Sequence, residues 1–95
     1  MRHINTSSGF SADFDEQNAN DMRVLRHIRA IVDPEASPLQ RTAALVDLPV
    51  LLLGEKQTNA LYDHLGSLNG GRVPPAELER ELTEILSGGG EAVKN

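Results

Sequence analysis

Residues 45–65 read LVDLPVLLLGEKQTNALYDHL, and how this stretch divides between helix and turn decides the fold. Val50, Leu51, Leu52 and Leu53 are four apolar residues in a row, closed by Gly54 and the charged pair Glu55-Lys56. On a helix, four consecutive side chains point all the way round the axis. Such a turn is either enclosed by a core or offered to a partner. Asp47 suits an N-cap and Pro49 a first helical turn, so the spacing predicts a separate short turn of helix that ends at Gly54 in a left-handed conformation. A full helix is expected next, from about Glu55 to Leu68, with Leu61, Leu65 and Leu68 as its seam and Tyr62 alongside.

Working upstream, SPLQ at residues 37–40 is a strong helix start. Ser37 caps, Pro38 needs no hydrogen-bond partner in the first turn, and Gln40 closes a capping box. Leu39, Ala43 and Val46 are expected to form the buried stripe of that helix. NDMRVLRHIRAIVD, residues 20–33, has Met22, Leu25, Ile28, Ile31 and Val32 at helical spacing, with Asn20 as cap and Pro34 as terminator. Residues 1–20 are polar, but Phe10, Ala12 and Phe14 alternate with Ser11 and Asp13, a pattern for one short extended segment in an otherwise mobile arm.

Downstream, Asn69-Gly70-Gly71 is a loop. Pro74 and Pro75 then open PAELERELTEIL, whose Leu78, Leu82, Ile85 and Leu86 line one face. Glu77, Glu79, Glu81 and Glu84 are assigned to the solvated remainder of that helix. The expectation is therefore an all-α, single-domain bundle of three to four helices with one short helical turn. Residues 1–20 form a flexible N-terminal arm, 21–87 the helical domain and 88–95 a loose tail.

Composition narrows the function. A chain of 95 residues fits one domain with a modest core, which favours a partner or self-association. With no cysteine, a disulfide framework, a thiolate zinc site and a cysteine nucleophile are excluded. Nine Lys+Arg against 14 Asp+Glu leave a net charge of −5, which argues against nucleic acid as a ligand. Phe10, Phe14 and Tyr62 are the only aromatic residues, too few to stack bases. The first residues hold no apolar run of signal-peptide length, and no later stretch is long enough for a membrane span.

His3, His27 and His64 show no metal-ligand spacing, and Asp63-His64 is not a triad by sequence. NGGR (69–72) and SGGGE (87–91) lack the Lys and Ser/Thr of a phosphate loop. No catalytic residue, cofactor or metal is expected. Two features remain as partner-binding candidates. Arg23, Arg26 and Arg29 form a basic ridge, which is either ordinary solvation, paired with the glutamates of the last helix, or a docking face. The apolar stretch offers Leu48, Leu51 and Leu52.

The order of SGF (8–10), DFDE (13–16), DMRVLRHIRAIVD, VDLPVLLLGEKQTNALYDHL, NGGRVP and a final acidic helix ending in EIL resembles one group of tail assembly chaperones of long-tailed bacteriophages. LLLGEKQ and GRVP at this separation are its most specific elements, and the likeness covers about residues 8–87. The resemblance implies a small helical, non-catalytic protein of the host bacterial cytoplasm that is absent from the mature virion. It would bind the tape measure protein, keep that long apolar helix soluble, and help recruit tail tube subunits. The resemblance carries over no residue-level binding motif; from the apolar pattern alone, Leu48, Leu51 and Leu52 would line a helix-binding groove, with Leu61, Tyr62 and Leu65 beside them. Two other readings are a helix-turn-helix DNA-binding regulator, with residues 55–65 as recognition helix, and a phage inhibitor of a host protein.

Overall fold

Gly54 is where the backbone turns. The computed structural model describes residues 1–88, in which β1 (Arg2–Asn5) and β2 (Ser11–Phe14) are followed by a 3-10 turn (Glu16–Ala19), α1 (Met22–Val32), α2 (Pro38–Leu68) and α3 (Pro75–Leu86). Within α2, Gly54 adopts φ 83°, ψ 165°, which divides the helix into limbs 38–53 and 55–68. That corner of backbone space is essentially glycine's alone. An added Cβ would meet nothing within 4 Å, so the penalty for Gly54→Ala is purely the backbone's. A loss of about 1–3 kcal/mol is expected, read as a lower urea midpoint at unchanged slope.

Three side-chain amide and hydroxyl groups donate to backbone carbonyls at the break. Asn18 Nδ2 donates to the Leu52 carbonyl at 3.0 Å, Gln57 Nε2 to Leu53 at 2.9 Å, and Thr58 Oγ1 to Gly54 at 2.7 Å. Gln57 also stitches the break to β2: its Oε1 accepts from the Asp13 amide at 2.6 Å and its Nε2 donates to the Asp13 carbonyl at 2.8 Å.

The start of α2 forms as its sequence requires. Ser37 Oγ accepts from the Gln40 amide at 3.1 Å and Gln40 Oε1 accepts from the Ser37 amide at 2.8 Å, a complete capping box. The separate turn expected from Asp47 does not form, because α2 runs unbroken through Pro49 to Gly54. Pro49 forfeits one helical hydrogen bond, yet it is fully buried beside Leu48 and Leu52. That burial outweighs proline's preference.

The N-terminal segment is not a mobile arm. β1 and β2 pair antiparallel, Ile4 opposite Ala12 and Arg2 opposite Phe14, and bury Ile4, Phe10, Ala12 and Phe14 in the core. The fold is thus three helices with a two-stranded sheet, mostly helical rather than all-α. The alternation at Phe10-Ala12-Phe14 marked β2; nothing local marked Ile4 as its partner strand. Residues 89–95, most of the expected loose tail, lie outside the described residues.

The expected stripe of α1 holds only in part, and that of α2 is overturned. On α1, Val24, Ile28 and Ile31 face inward, while Met22, Leu25 and Val32 are exposed. On α2, the core takes Ala44, Leu45, Leu48 and Leu52, whereas Leu39, Ala43 and Val46 point outward. The cap of α1 moves by one residue: Asp21, not Asn20, accepts from the Arg23 amide, at 2.8 Å. The same carboxyl is held down to a pKa of about 2, first by its side-chain hydrogen bond with Arg23 and then by the Arg23 amide. Its folded value is depressed, so its contribution to stability is present above the usual aspartate range and fades as pH falls from about 3.8 towards 2. An NMR titration should place the Asp21 carboxyl midpoint near the lower of these values.

Candidate functional site

Limb 38–53 of α2 is apolar on two opposite sides. Leu45, Leu48 and Leu52 recur at spacings of three and four and enter the core. Leu39, Ala43, Val46 and Val50 recur at spacings of four, three and four on the far side. There Leu39 remains 79%, Val46 63% and Val50 45% exposed. A helix apolar on both sides normally sits inside a larger structure. Here one side has no cover, and this outward stripe is the candidate site.

Depressions run along both flanks of the stripe. On one flank Thr42, Leu45 and Val46 face Tyr62, Val73, Pro75 and Leu78 across a small apolar crevice. Tyr62 is half-buried at its edge, the placement in which an aromatic side chain anchors a partner. On the other flank, an open trough between α1 and α2 is walled by Arg26 and His27 on one side and Gln40 and Asp47 on the other, with Ala30, Ala43 and Ala44 also lining it.

The residues expected to bind a partner are thereby separated. Leu48, Leu52, Leu61 and Leu65 lie fully buried in the core, and Leu51 is half-buried against it. In this conformation none of the four buried leucines presents a surface. Of the expected residues, Tyr62 borders the exposed stripe on one flank and Arg26 walls the trough on the other. The four residues Leu39, Ala43, Val46 and Val50 were missed because their spacing fits a core face as well as it fits an interface.

The basic ridge is exposed along α1 but is not paired with α3. Arg23 bonds Asp21, its Nη2 lying 2.7 Å from Oδ2, while Arg26 and Arg29 have no carboxylate within ion-pair distance among the described residues. On α3, Arg80 pairs instead with Glu77, one turn earlier. Glu81, expected on the solvated face, is fully buried, and neither of its carboxyl oxygens has a hydrogen-bond partner among the described residues.

Ser8 and His64 come within reach of each other, with Oγ to Nε2 at 3.1 Å. The same nitrogen is 3.1 Å from the Ser8 carbonyl oxygen, so it carries the proton and donates. A donating Nε2 has no lone pair with which to activate the serine hydroxyl, and no acidic side chain bonds Nδ1 among the described residues. The pair fastens the hairpin turn to α2, with Phe10 packed on the His64 ring at 5.7 Å. Among the described residues, no group of three or more His, Cys, Asp or Glu side chains could hold a metal ion, and no helix is long and apolar enough to cross a membrane. Compared with protein-family models, with curated proteins and with solved structures, the chain matches none.

Proposed function

We propose that this chain is a non-catalytic helix-binding chaperone, a tail assembly chaperone that holds the tape measure protein of its phage. The observation that carries helix binding is the uncovered stripe Leu39-Ala43-Val46-Val50, which runs straight along about three turns of one helix. A straight apolar ridge beside an apolar crevice suits the i, i+3, i+4 and i+7 side chains of an amphipathic helix. The crevice beside Val46 and Tyr62 would take one anchoring side chain. The net charge of −5 would keep a loaded complex dispersed.

The client's identity comes from the resemblance of residues 8–87, which supports tape measure protein as client and tail tube subunits as later partners. No observation favours the DNA-binding reading. The two limbs of α2 meet at one residue rather than at a three- or four-residue turn, and limb 55–68 turns Glu55, Lys56 and Asp63 outward.

Co-expression with the tape measure protein of the same genome tests the proposal. The client is expected to stay soluble and to elute with this chain. Elution of this chain alone as a concentration-dependent dimer would instead assign the stripe to a second copy. A specific host partner captured from uninfected cells would support host inhibition.

A further inference from the structure

We propose that α3 is a displaceable strap: it occupies an apolar groove on α2 that the client helix enters once α3 swings out. This rests on the helix-binding reading above. The need for more surface comes from area. Four exposed side chains of this size offer on the order of 300 Å² of apolar surface, short of the about 450 Å² that is the apolar share of the roughly 800 Å² one partner buries in a standard interface. The additional apolar surface lies beneath α3.

α3 fills its groove as a bound amphipathic helix would. Leu78, Leu82 and Ile85, at i, i+4 and i+7, enter the cluster that holds Leu45, Leu48, Leu61 and Leu65. Its first residues, Pro75 and Leu78, form with Val73 the far wall of the crevice beside Val46 and Tyr62. Opening would therefore begin at the edge of the exposed stripe and extend it inward.

The packed position of α3 carries an internal fault. Glu81 lies at the edge of the buried face with neither oxygen bonded among the described residues, a destabilising placement in either protonation state. A leucine there would hold the helix down better. At the N-terminal end the strap hangs from Gly70 and Gly71, at φ 67° and 90°, and Pro74 supplies no side-chain cap. Near the other end a surface latch closes it: Glu84 accepts from the Ser7 amide and from Ser7 Oγ, each at 2.7 Å. Glu81 loads the strap and Glu84 restrains it, so their substitutions act in opposite directions.

The absence of cysteine allows single thiol reporters in the full chain. Leu65→Cys reports beneath the strap and Val24→Cys reports on α1. In the otherwise unsubstituted chain, thiol labelling at position 65 should be faster than at position 24 and depend less steeply on urea, because it needs no global unfolding. Glu81→Leu should slow it by about tenfold or more, and Glu84→Ala should speed it several-fold. A peptide of residues 75–86 carrying Glu81→Leu, added in excess, should protect position 65 and speed labelling of Leu82→Cys on the resident α3. Hydrogen exchange of α3 amides in the unsubstituted chain gives the same readout should a reporter fail to fold. Labelling at position 65 as steeply dependent on urea as at position 24, or no response at 65 and 82 to the peptide, would overturn the strap. The thiol readout needs no tape measure protein, so its failure is distinct from failure of co-purification.

Discussion

Leu65→Ala should remove about 2–5 kcal/mol of stability, whereas Val46→Ala should change it by no more than about 0.5 kcal/mol. Both are apolar residues on α2, and both sit at helical spacing from other apolar residues. They differ in burial: Leu65 is fully enclosed, and Val46 is 63% exposed. Truncating Leu65 loses the transfer free energy of three carbons and leaves a void that a close-packed core only partly closes. A domain of 95 residues has on the order of 5–14 kcal/mol in total, so this one change takes a large share of it. Truncating Val46 removes methyl groups that already touch water. The comparison, made by urea denaturation of both variants, decides which side of the helix is core. Equal losses would mean that the outward stripe is covered in solution.

Glu81→Leu should raise stability by about 1–3 kcal/mol. Most substitutions at fully buried positions destabilise, so the sign is the informative part. The gain follows from the missing partners: the carboxyl group gives up its hydration on burial and receives no hydrogen bond from the described residues in return. Leucine fills a similar volume with atoms that lose nothing on burial. Glu81→Gln should gain less, since the amide is still polar and still unpaired. A thermal melt that drops for Glu81→Leu would show that the carboxyl is satisfied by a group other than those described.

Local chemistry was the legible part of this fold. The Ser37–Gln40 capping box, the termination of α1 near Pro34, the break at Gly54 and the α3 stripe Leu78-Leu82-Ile85 each depend on residues within one or two turns. What the sequence hid was set by distant partners. Leu39-Ala43-Val46 and Ala44-Leu48-Leu52 have the same helical periodicity, and packing of α2 against α1 and the hairpin selects the second as core. The hairpin itself was half visible, because Phe10, Ala12 and Phe14 alternate while Arg2–Asn5 carries only Ile4 as a signal.

Glu81 was legible in principle. It follows Leu78 by three residues and precedes Ile85 by four, so helical geometry places it at the edge of the buried stripe. Its charge steered the reading towards solvent. The candidate site shows the same tension in reverse: the apolar run at 45–53 correctly marked α2 as over-supplied with hydrophobic residues. The surplus emerges on the opposite side of the helix from Leu48 and Leu52, at Val46 and Val50.

The most direct test of the docking face is co-purification of the tape measure protein with a Leu39→Asp/Val46→Asp/Val50→Asp variant, beside the unsubstituted chain. All three side chains are exposed, so the variant should keep its helical circular dichroism and cooperative melt. The expected result is a folded variant that loses its client by at least about a hundredfold in affinity, as truncation of interface anchors does. A folded variant that still holds the client at full strength would contradict the assignment of this face.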